Sequence, residues 1–177
     1  TKNGDLTPAE VTYGTAKKVW WLCSEGHEWV QTPNARTARG LDCPYCGGSV
    51  ATKENSLAGV FPELAAEWHP TKNGELTAEM VLPHSQKKYW WKCPVADDHE
   101  WEQSPGNRAN PLLKAGCPCC SGRKVSVTNS LVDNYPEIAK QWHPIKNKDV
   151  ELKEIVAGSG NKYWWKCSEG PDHEWRA

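Results

Sequence analysis

Cysteine and histidine residues recur along this 177-residue chain at spacings that suit metal ligation. Two sets of four have the order Cys, His, Cys, Cys: Cys23, His27, Cys43, Cys46 and Cys93, His99, Cys117, Cys120. Zinc takes thiolate and imidazole ligands in tetrahedral structural sites, and three Cys with one His is a common set. A Cys-Pro-x-Cys knuckle is tight enough for both sulfurs to reach one ion. We therefore predict one Zn²⁺ ion for each set.

A third group repeats only the first half of this pattern. Cys167 and His173 have the spacing of Cys93 and His99, and no Cys-x-x-Cys follows them. We predict a half-site there, which holds zinc weakly with solvent or not at all. Cys119 lies inside the second knuckle without a counterpart in the first, and we predict that it is a spare thiol.

Three other chemistries compete with structural zinc. Disulfides would suit an exported protein, but they leave the paired histidines unexplained. The Cys43–Cys46 knuckle also matches the glutaredoxin active-site motif, which needs a helix N-terminus after a buried strand. Residues 35–42 instead predict a polar loop. A catalytic metal needs an open coordination position, and four protein ligands close the shell. The pattern therefore favours closed structural sites and a protein that is not an enzyme.

A β-hairpin that occurs three times must position these ligands. Residues 17–23 and 27–32 predict two strands joined by a Ser-Glu-Gly turn, which places Cys23 and His27 at the mouth of the hairpin. The Trp-Trp of the first strand and the His-Glu-Trp of the second recur over residues 90–101 and 164–175. Glycines that follow the two knuckles are predicted to adopt a positive φ, namely Gly47 and Gly122.

A linking segment follows each complete ligand set. It runs from Asn-Ser-Leu to Trp-His-Pro over residues 55–70, here called linker 1, and over residues 129–144, called linker 2. A proline in the first turn predicts a short helix in each linker, over residues 62–68 and 136–142. The predicted repeats cover residues 1–70, 71–144 and 145–177. Because the third repeat is incomplete, we expect the chain to be part of a longer array.

The 11 tryptophans replace the aliphatic core that so small a repeat lacks. Units below about 70 residues usually need a metal or another staple, and one Trp buries roughly 150–250 Å². We predict core positions for the first Trp of each strand pair, for the Trp of His-Glu-Trp and for the linker Trp. Adjacent strand residues face opposite sides, so the other Trp of each pair packs on a neighbouring segment or stays exposed.

These motifs together resemble the tandem probable zinc-ribbon domain family, whose members are also described as treble-clef-like zinc fingers. The resemblance rests on Gly26-His27-Glu28-Trp29, on Arg36 and Arg108, on the Cys-Pro-x-Cys knuckles and on the two linkers. It departs where His99 and His173 follow Asp rather than Gly. It implies a small metal-stabilised α+β fold of tandem zinc-ribbon or treble-clef-like units, each a β-hairpin with two zinc knuckles and a short helix. It also implies zinc binding and a loose association with DNA, in some members beside nuclease-like domains.

Basic residues beside the aromatic strands predict where nucleic acid would bind. The formal net charge is −1, which excludes a polycation that wraps nucleic acid, so that binding depends on a one-sided stripe of cations. The candidate contacts are Lys17, Lys18, Arg36, Arg39, Lys87, Lys88, Arg108, Arg123, Lys124 and Lys162. We predict a non-catalytic zinc-finger module that binds nucleic acid, with DNA as the expected partner. The alternative is a protein–protein interaction or spacer module.

Membrane proteins and exported proteins have sequence features that are missing here. No apolar run approaches the roughly 18 residues that a membrane span needs, and the first residues do not have the composition of a signal peptide. We therefore expect an intracellular protein, in the cytoplasm or associated with the nucleoid or nucleus.

Overall fold

The structure of the protein is a computed structural model that describes residues 1–113, 115–170 and 172–177. Over these residues the strands form three two-stranded antiparallel sheets, each a hairpin. The strands are β1 (Val19–Leu22), β2 (Glu28–Gln31), β3 (Tyr89–Lys92), β4 (Glu100–Gln103), β5 (Trp164–Lys166) and β6 (Glu174–Arg176). The hairpins confirm the small α+β fold that the sequence predicts.

Short helices lie between the hairpins. They are α1 (Pro33–Arg39), α2 (Leu57–Val60), α3 (Pro62–Ala65), α4 (Pro105–Ala109), α5 (Leu131–Asn134) and α6 (Pro136–Ala139). A single 3-10 turn precedes each hairpin, at Pro8–Glu10, Ala78–Met80 and Leu152–Glu154. None of these helices is long enough to be stable alone in water, so tertiary packing and the metal sites must hold them.

The described residues divide into two compact units. Unit 1 contains Thr1–Pro62 and Leu76–Pro83, and unit 2 contains Glu63–Glu75 and His84–Ala177. Linker 1 is therefore shared, because its second half packs on the β3–β4 hairpin of unit 2. The repeat limits 1–70, 71–144 and 145–177 stay a prediction, since the compact units follow a different division.

The segment after β2 is a helix, and the prediction of a polar loop over residues 35–42 is wrong for its first half. Thr32 Oγ1 accepts a hydrogen bond from the Ala35 N–H (3.2 Å) at the start of α1. Pro33 occupies the first turn, and Gly40 ends the helix at φ +60° in the left-handed region. An N-cap residue, a proline in the first turn and a glycine after the last turn together predict a helix, and all three are present in this segment of the sequence.

The linker helices are shorter than predicted. Helices α3 and α6 end at Ala65 and Ala139, three residues before the tryptophan of each linker. Trp68 and Trp142 then form antiparallel bridges with Trp91 and Trp165. This pairing packs their rings edge-on against Trp91 and Trp165, a contact that another helical turn would not provide.

Helices α2 and α5 were not predicted, and a serine caps each of them. Ser56 Oγ accepts from the Gly59 N–H (3.1 Å), and Ser130 Oγ accepts from the Asp133 N–H (3.1 Å). Both serines are buried.

Replacing Ser56 by alanine is expected to lower the free energy of unfolding of unit 1 by about 1 kcal/mol, the usual cost of losing an N-cap. Urea denaturation followed by tryptophan fluorescence measures it. Ser49→Ala is the matched control, because Ser49 is exposed and caps no helix. Equal losses in the two variants would contradict the capping role of Ser56.

The second Trp of each strand pair, and not the first, faces the core. Trp91 is completely buried, and its indole Nε1 donates to the Gln103 carbonyl (2.9 Å). Trp29 and Trp101, which pair with Trp21 and Trp91 across their hairpins, are buried as predicted. The equivalent Trp175 of the third hairpin is 40% exposed, so its predicted core position is wrong. Trp20, the first of its pair, is 40% exposed on the opposite face. The predicted core position of the first Trp is therefore wrong.

Candidate metal centres

The first predicted ligand set converges on one point in unit 1. Cys23, His27, Cys43 and Cys46 place their ligand atoms within 4.8 Å of one another. The two sulfurs of Cys23 and Cys46 are 3.8 Å apart, and His27 Nδ1 lies 3.5 Å from Cys23 Sγ and 3.3 Å from Cys46 Sγ. Tetrahedral zinc with ordinary bond lengths requires about 3.8 Å between sulfurs and about 3.5 Å between sulfur and nitrogen. The donor set therefore fits Zn²⁺.

The second set repeats this geometry in unit 2. Cys93, His99, Cys117 and Cys120 also lie within 4.8 Å of one another. Cys93 Sγ and Cys120 Sγ are 3.7 Å apart, and His99 Nδ1 is 3.6 Å from Cys117 Sγ and 3.5 Å from Cys120 Sγ. The prediction of two complete Zn²⁺ sites is confirmed.

The hairpin and the knuckle present the ligands from opposite sides. The Cys23 N–H donates to the His27 carbonyl (3.1 Å), which closes the end of the first hairpin around its two ligands. In the knuckle, the Gly47 N–H donates to the Cys43 carbonyl (2.9 Å). The glycine with positive φ is Gly48 (+67°), equivalent to Gly122 (+69°), so the prediction of a positive φ was right for Gly122 and wrong for Gly47.

Groups around the ligating histidines orient their rings. His99 is completely buried, and its Nε2 lies 3.0 Å from Ser126 Oγ and 2.8 Å from Thr128 Oγ1. A hydrogen bond from Nε2–H leaves Nδ1 unprotonated and directed at the sulfurs, as metal-bound histidines usually are. His27 is held differently, because its ring stacks on Tyr45 with centroids 5.1 Å apart.

The remaining cysteines lie as the sequence predicted. Cys167 Sγ and His173 Nδ1 are 3.2 Å apart, so they form a half-site, and no third cluster of three ligands occurs in the described ranges. Cys119 is 1% exposed and outside the second cluster, and burial raises the pKa of its thiol. All eight cysteines lie in the described part of the chain and are free of disulfides.

A comparison with protein families agrees with this geometry. A family model described as a probable treble clef zinc finger domain matches residues 1–49, 64–123 and 138–177. The chain belongs to this family. No curated protein matches the chain. Hairpins β1–β2, β3–β4 and β5–β6, each with the segments that pack on it, are called fingers 1, 2 and 3. Fingers of this family are typically not catalytic.

Arg108 is part of the core of finger 2, which corrects the prediction that it contacts nucleic acid. Its side chain is 2% exposed and donates through Nη2 to Glu67 Oε2 (2.8 Å). The guanidinium carbon lies 4.7 Å from the ring centroid of Trp91 and 5.1 Å from that of Trp101. Within the described residues, Nε and Nη1 of Arg108 have no hydrogen-bond partner. Their positive charge is therefore stabilised mainly by cation–π contact with the rings of Trp91 and Trp101.

Arg36 occupies the equivalent place in finger 1 but is less buried. Its guanidinium carbon lies 4.5 Å from the ring centroid of Trp21 and 5.4 Å from that of Trp29. It donates to Asp42 (2.8 Å), whose side chain is 87% exposed. The Arg36 guanidinium therefore makes part of its contacts inside its own finger and is only partly available to a ligand.

The other predicted nucleic-acid contacts lie on the surface. Those that are exposed are Lys17, Lys18, Arg39, Lys87, Lys88, Arg123, Lys124 and Lys162. Lys124 Nζ also donates to the Glu100 carbonyl (2.7 Å), and Lys87 lies 5.4 Å from the ring centroid of Tyr89. Their role in binding stays a prediction.

A cluster of one His, one Lys, one Glu and one Trp at fingers 2 and 3 was not predicted as a unit. In finger 3, His143 Nδ1 accepts from the Lys146 N–H (3.2 Å), so its Nε2–H donates to Glu174 (2.9 Å). Lys146 Nζ pairs with the same carboxylate and lies 4.2 Å from the ring centroid of Trp164. Hydrogen bonds from Lys146 and His143 lower the pKa of Glu174 to about 2. The repeated Trp-His-Pro-x-Lys and His-Glu-Trp motifs were the signal that could have revealed it.

His69 forms the same cluster in finger 2. It is buried, its Nε2 contacts Glu100 (2.9 Å), and Lys72 pairs with that carboxylate beside the ring of Trp90. The prediction that His69 and His143 serve packing and turns agrees with this arrangement. Over the described residues, no helix has the length and apolar character needed to cross a membrane.

Proposed function

We propose that this chain is a non-catalytic tandem zinc-finger module that binds nucleic acid, with DNA as the expected ligand. The observation that supports it most directly is the position of exposed lysines two or three residues before the outward-facing Trp of each hairpin. Lys17 and Lys18 precede Trp20, Lys87 and Lys88 precede Trp90, and Lys162 precedes Trp164 at a distance of two residues.

Finger 1 illustrates the chemistry. Lys17 and Lys18 are exposed and form no ion pair within the described residues. The indole of Trp20 is 40% exposed, and Lys2 lies 4.6 Å from its ring centroid. Lysines neutralise phosphates and release counterions, while exposed aromatic faces stack on unpaired bases. The combination suits single-stranded or distorted DNA better than the edges of paired bases.

A non-catalytic role follows from the ligand sets. Four protein ligands fill the tetrahedral shell of zinc and leave no position for a reacting water. The histidine of each His-Glu-Trp motif is a zinc ligand or a half-site ligand, so it does not serve as a general base. Association with a nuclease domain of a longer protein remains a prediction from the family resemblance.

Binding is expected to be weak and strongly dependent on salt, because the formal net charge is −1. Fluorescence anisotropy with short single-stranded and duplex DNA at about 50 and about 200 mM salt measures it. Replacing Lys17, Lys18, Lys87 and Lys88 by alanine should lower the affinity and reduce the salt slope by about 1 for each phosphate that is no longer neutralised.

The matched control replaces four exposed lysines outside these positions, Lys53, Lys140, Lys148 and Lys153, and therefore removes the same charge. Its affinity should fall much less. Absence of binding by the unmodified zinc-loaded chain at low salt, or equal losses in the two quadruple variants, would contradict the proposal.

Protein–protein interaction is the second candidate function. The indoles of Trp20 and Trp175, each 40% exposed, favour it, because aromatic side chains are enriched as contact anchors at protein interfaces.

A further inference from the structure

The two complete zinc centres have ligands of the same types, but the ligating histidine has different surroundings in each. In finger 2, His99 is completely buried, and its Nε2 lies 3.0 Å from Ser126 Oγ and 2.8 Å from Thr128 Oγ1. The two hydroxyl oxygens are themselves 2.8 Å apart. They form a polar pair that accepts the Nε2–H and holds the ring with Nδ1 towards the sulfurs.

Backbone hydrogen bonds keep this hydroxyl pair in place. Ser126 Oγ accepts from the Thr128 N–H (3.3 Å), and the Val127 N–H between them donates to Asp98 Oδ2 (2.8 Å). Asp98 directly precedes the ligating His99 in the chain. The residue before the ligand therefore fastens the segment that covers the ring of the ligand.

The same covering segment is attached to the knuckle of finger 2. Asn129 Nδ2 donates to the Cys119 carbonyl inside the knuckle (2.8 Å) and to the Lys124 carbonyl after it (3.0 Å). Asn129 Oδ1 accepts from the Ser126 N–H (2.8 Å). Hairpin, knuckle and covering segment are thus joined by hydrogen bonds around one buried imidazole.

Finger 1 does not surround its histidine in this way. Within the described residues, the hydrogen-bond contacts of His27 all run through Nδ1 to the ligating sulfurs. His27 is only half-buried, and the stacked ring of Tyr45 offers no acceptor to Nε2, which leaves the Nε2–H to water. Gly26 occupies the position of Asp98 and has no carboxylate to fasten a covering segment.

The residues of finger 1 that correspond to the hydroxyl pair do not contact the ligating imidazole. Thr52 and Glu54 lie six and eight residues after the second cysteine of their knuckle, as Ser126 and Thr128 do in finger 2. Thr52 Oγ1 accepts from the Asn55 N–H (3.3 Å), and Glu54 is exposed. The covering segment is present in both fingers, so the difference lies in its residues.

We infer that finger 2 retains its Zn²⁺ while finger 1 exchanges its ion with the surroundings, and that Asp98, Ser126 and Thr128 cause the difference. They are positioning residues, because they act on the metal through His99. Partners of a ligating histidine typically change metal affinity by 10–100-fold, so the zinc affinity of finger 2 should exceed that of finger 1 at least about tenfold. Between the zinc concentrations that fill the two sites, finger 1 alone folds and unfolds, which makes it the zinc-responsive part of the chain.

The test removes zinc stepwise from the loaded chain with EDTA and follows each finger by NMR. The indole N–H signals of Trp21 and Trp91 report on fingers 1 and 2, because each indole donates to a carbonyl of its own hairpin. Elemental analysis counts the ions that remain bound. We expect the folded signal of Trp21 to disappear first, while the signal of Trp91 persists with one ion per chain.

A double variant tests the hydroxyl pair. Ser126→Ala with Thr128→Val removes both hydroxyls and should lower the zinc affinity of finger 2 at least about tenfold without changing that of finger 1. In the unmodified chain, the ring Nε2–H of His99 should give an NMR signal in slow exchange with water, and that of His27 should not. The double variant should lose this signal while excess zinc keeps finger 2 folded, which a purely structural role would not produce.

Single variants test Asp98. Asp98→Ala should lower the zinc affinity of finger 2 by about fivefold, the factor that one ordinary hydrogen bond provides. Asp98→Asn should restore most of this loss, because its carbonyl oxygen also accepts from the Val127 N–H. Asp97→Ala is the matched control, since Asp97 lies in the same loop, carries the same charge and pairs with Lys92 at the surface. It should leave the affinity unchanged.

Release of both ions in one step, or release of the finger 2 ion first, would overturn the inference with the unmodified chain alone. A double variant that holds zinc as tightly as the unmodified chain would overturn it as well. Equal losses in Asp98→Asn and Asp98→Ala would do the same, because the effect would then come from charge and not from the hydrogen bond. None of these outcomes depends on nucleic-acid binding.

Discussion

Replacing Cys93 by serine is expected to unfold finger 2 and to reduce the bound zinc from two ions to one per chain. Cys93 joins β3 to the knuckle of Cys117 and Cys120 through the metal. Finger 2 has few buried aliphatic side chains, so the metal supplies much of its stability. Structural zinc in small fingers binds with an apparent free energy of about 10–16 kcal/mol at neutral pH, and this binding is coupled to folding.

Zinc content by elemental analysis and near-UV circular dichroism of the tryptophans measure the effect. Cys119→Ser is the matched control, because Cys119 is buried beside the same knuckle without belonging to the ligand cluster. It should keep both ions. Chelation of the unmodified chain should remove the near-UV signal of both complete fingers, and a chelated chain that keeps its signal would contradict the structural role of zinc.

Replacing Arg108 by alanine is expected to lower the free energy of unfolding of unit 2 by about 3 kcal/mol, as loss of one partner of a buried ion pair does. The substitution leaves Glu67 without its partner and opens a cavity between Trp91 and Trp101. Lysine should not rescue it, because a planar guanidinium stacks on both rings and an ammonium does not.

Arg36→Ala in finger 1 is the control that the chain itself provides. Arg36 has the same two aromatic neighbours but an exposed ionic partner, so we expect a loss of about 1 kcal/mol. Urea denaturation of both variants with zinc present makes the comparison. A loss in the Arg108 variant no larger than in the Arg36 variant would show that burial of the ion pair adds nothing.

The zinc sites were the part of the molecule that local sequence could predict. Cys23 and His27 are held near each other by a turn, and Cys43 and Cys46 by a knuckle, so each half-site is defined over a few residues. Repetition of the pattern at Cys93 to Cys120 then indicated that the halves close on one ion. The clusters in the structure have that composition.

The role of Arg108 could not be predicted in the same way. From the sequence alone, an arginine that recurs among tryptophans is equally consistent with a nucleic-acid-binding surface and with a buried ion pair. The carboxylate that decides between them, Glu67, lies 41 positions earlier in the chain. Only the arrival of linker 1 on the β3 edge brings the two together.

The types and order of its residues determined that this protein consists of zinc-held hairpins, because ligation and turn formation act over short stretches of chain. Strand alternation likewise required one Trp of each pair to face outward. Tertiary structure decided which one, since α1 packs on the side of Trp21, and α4 and linker 1 pack on the side of Trp91. It also decided that Trp68 joins a strand edge rather than extending α3, because a distant hairpin offers it hydrogen bonds and an aromatic surface that no local helix could supply.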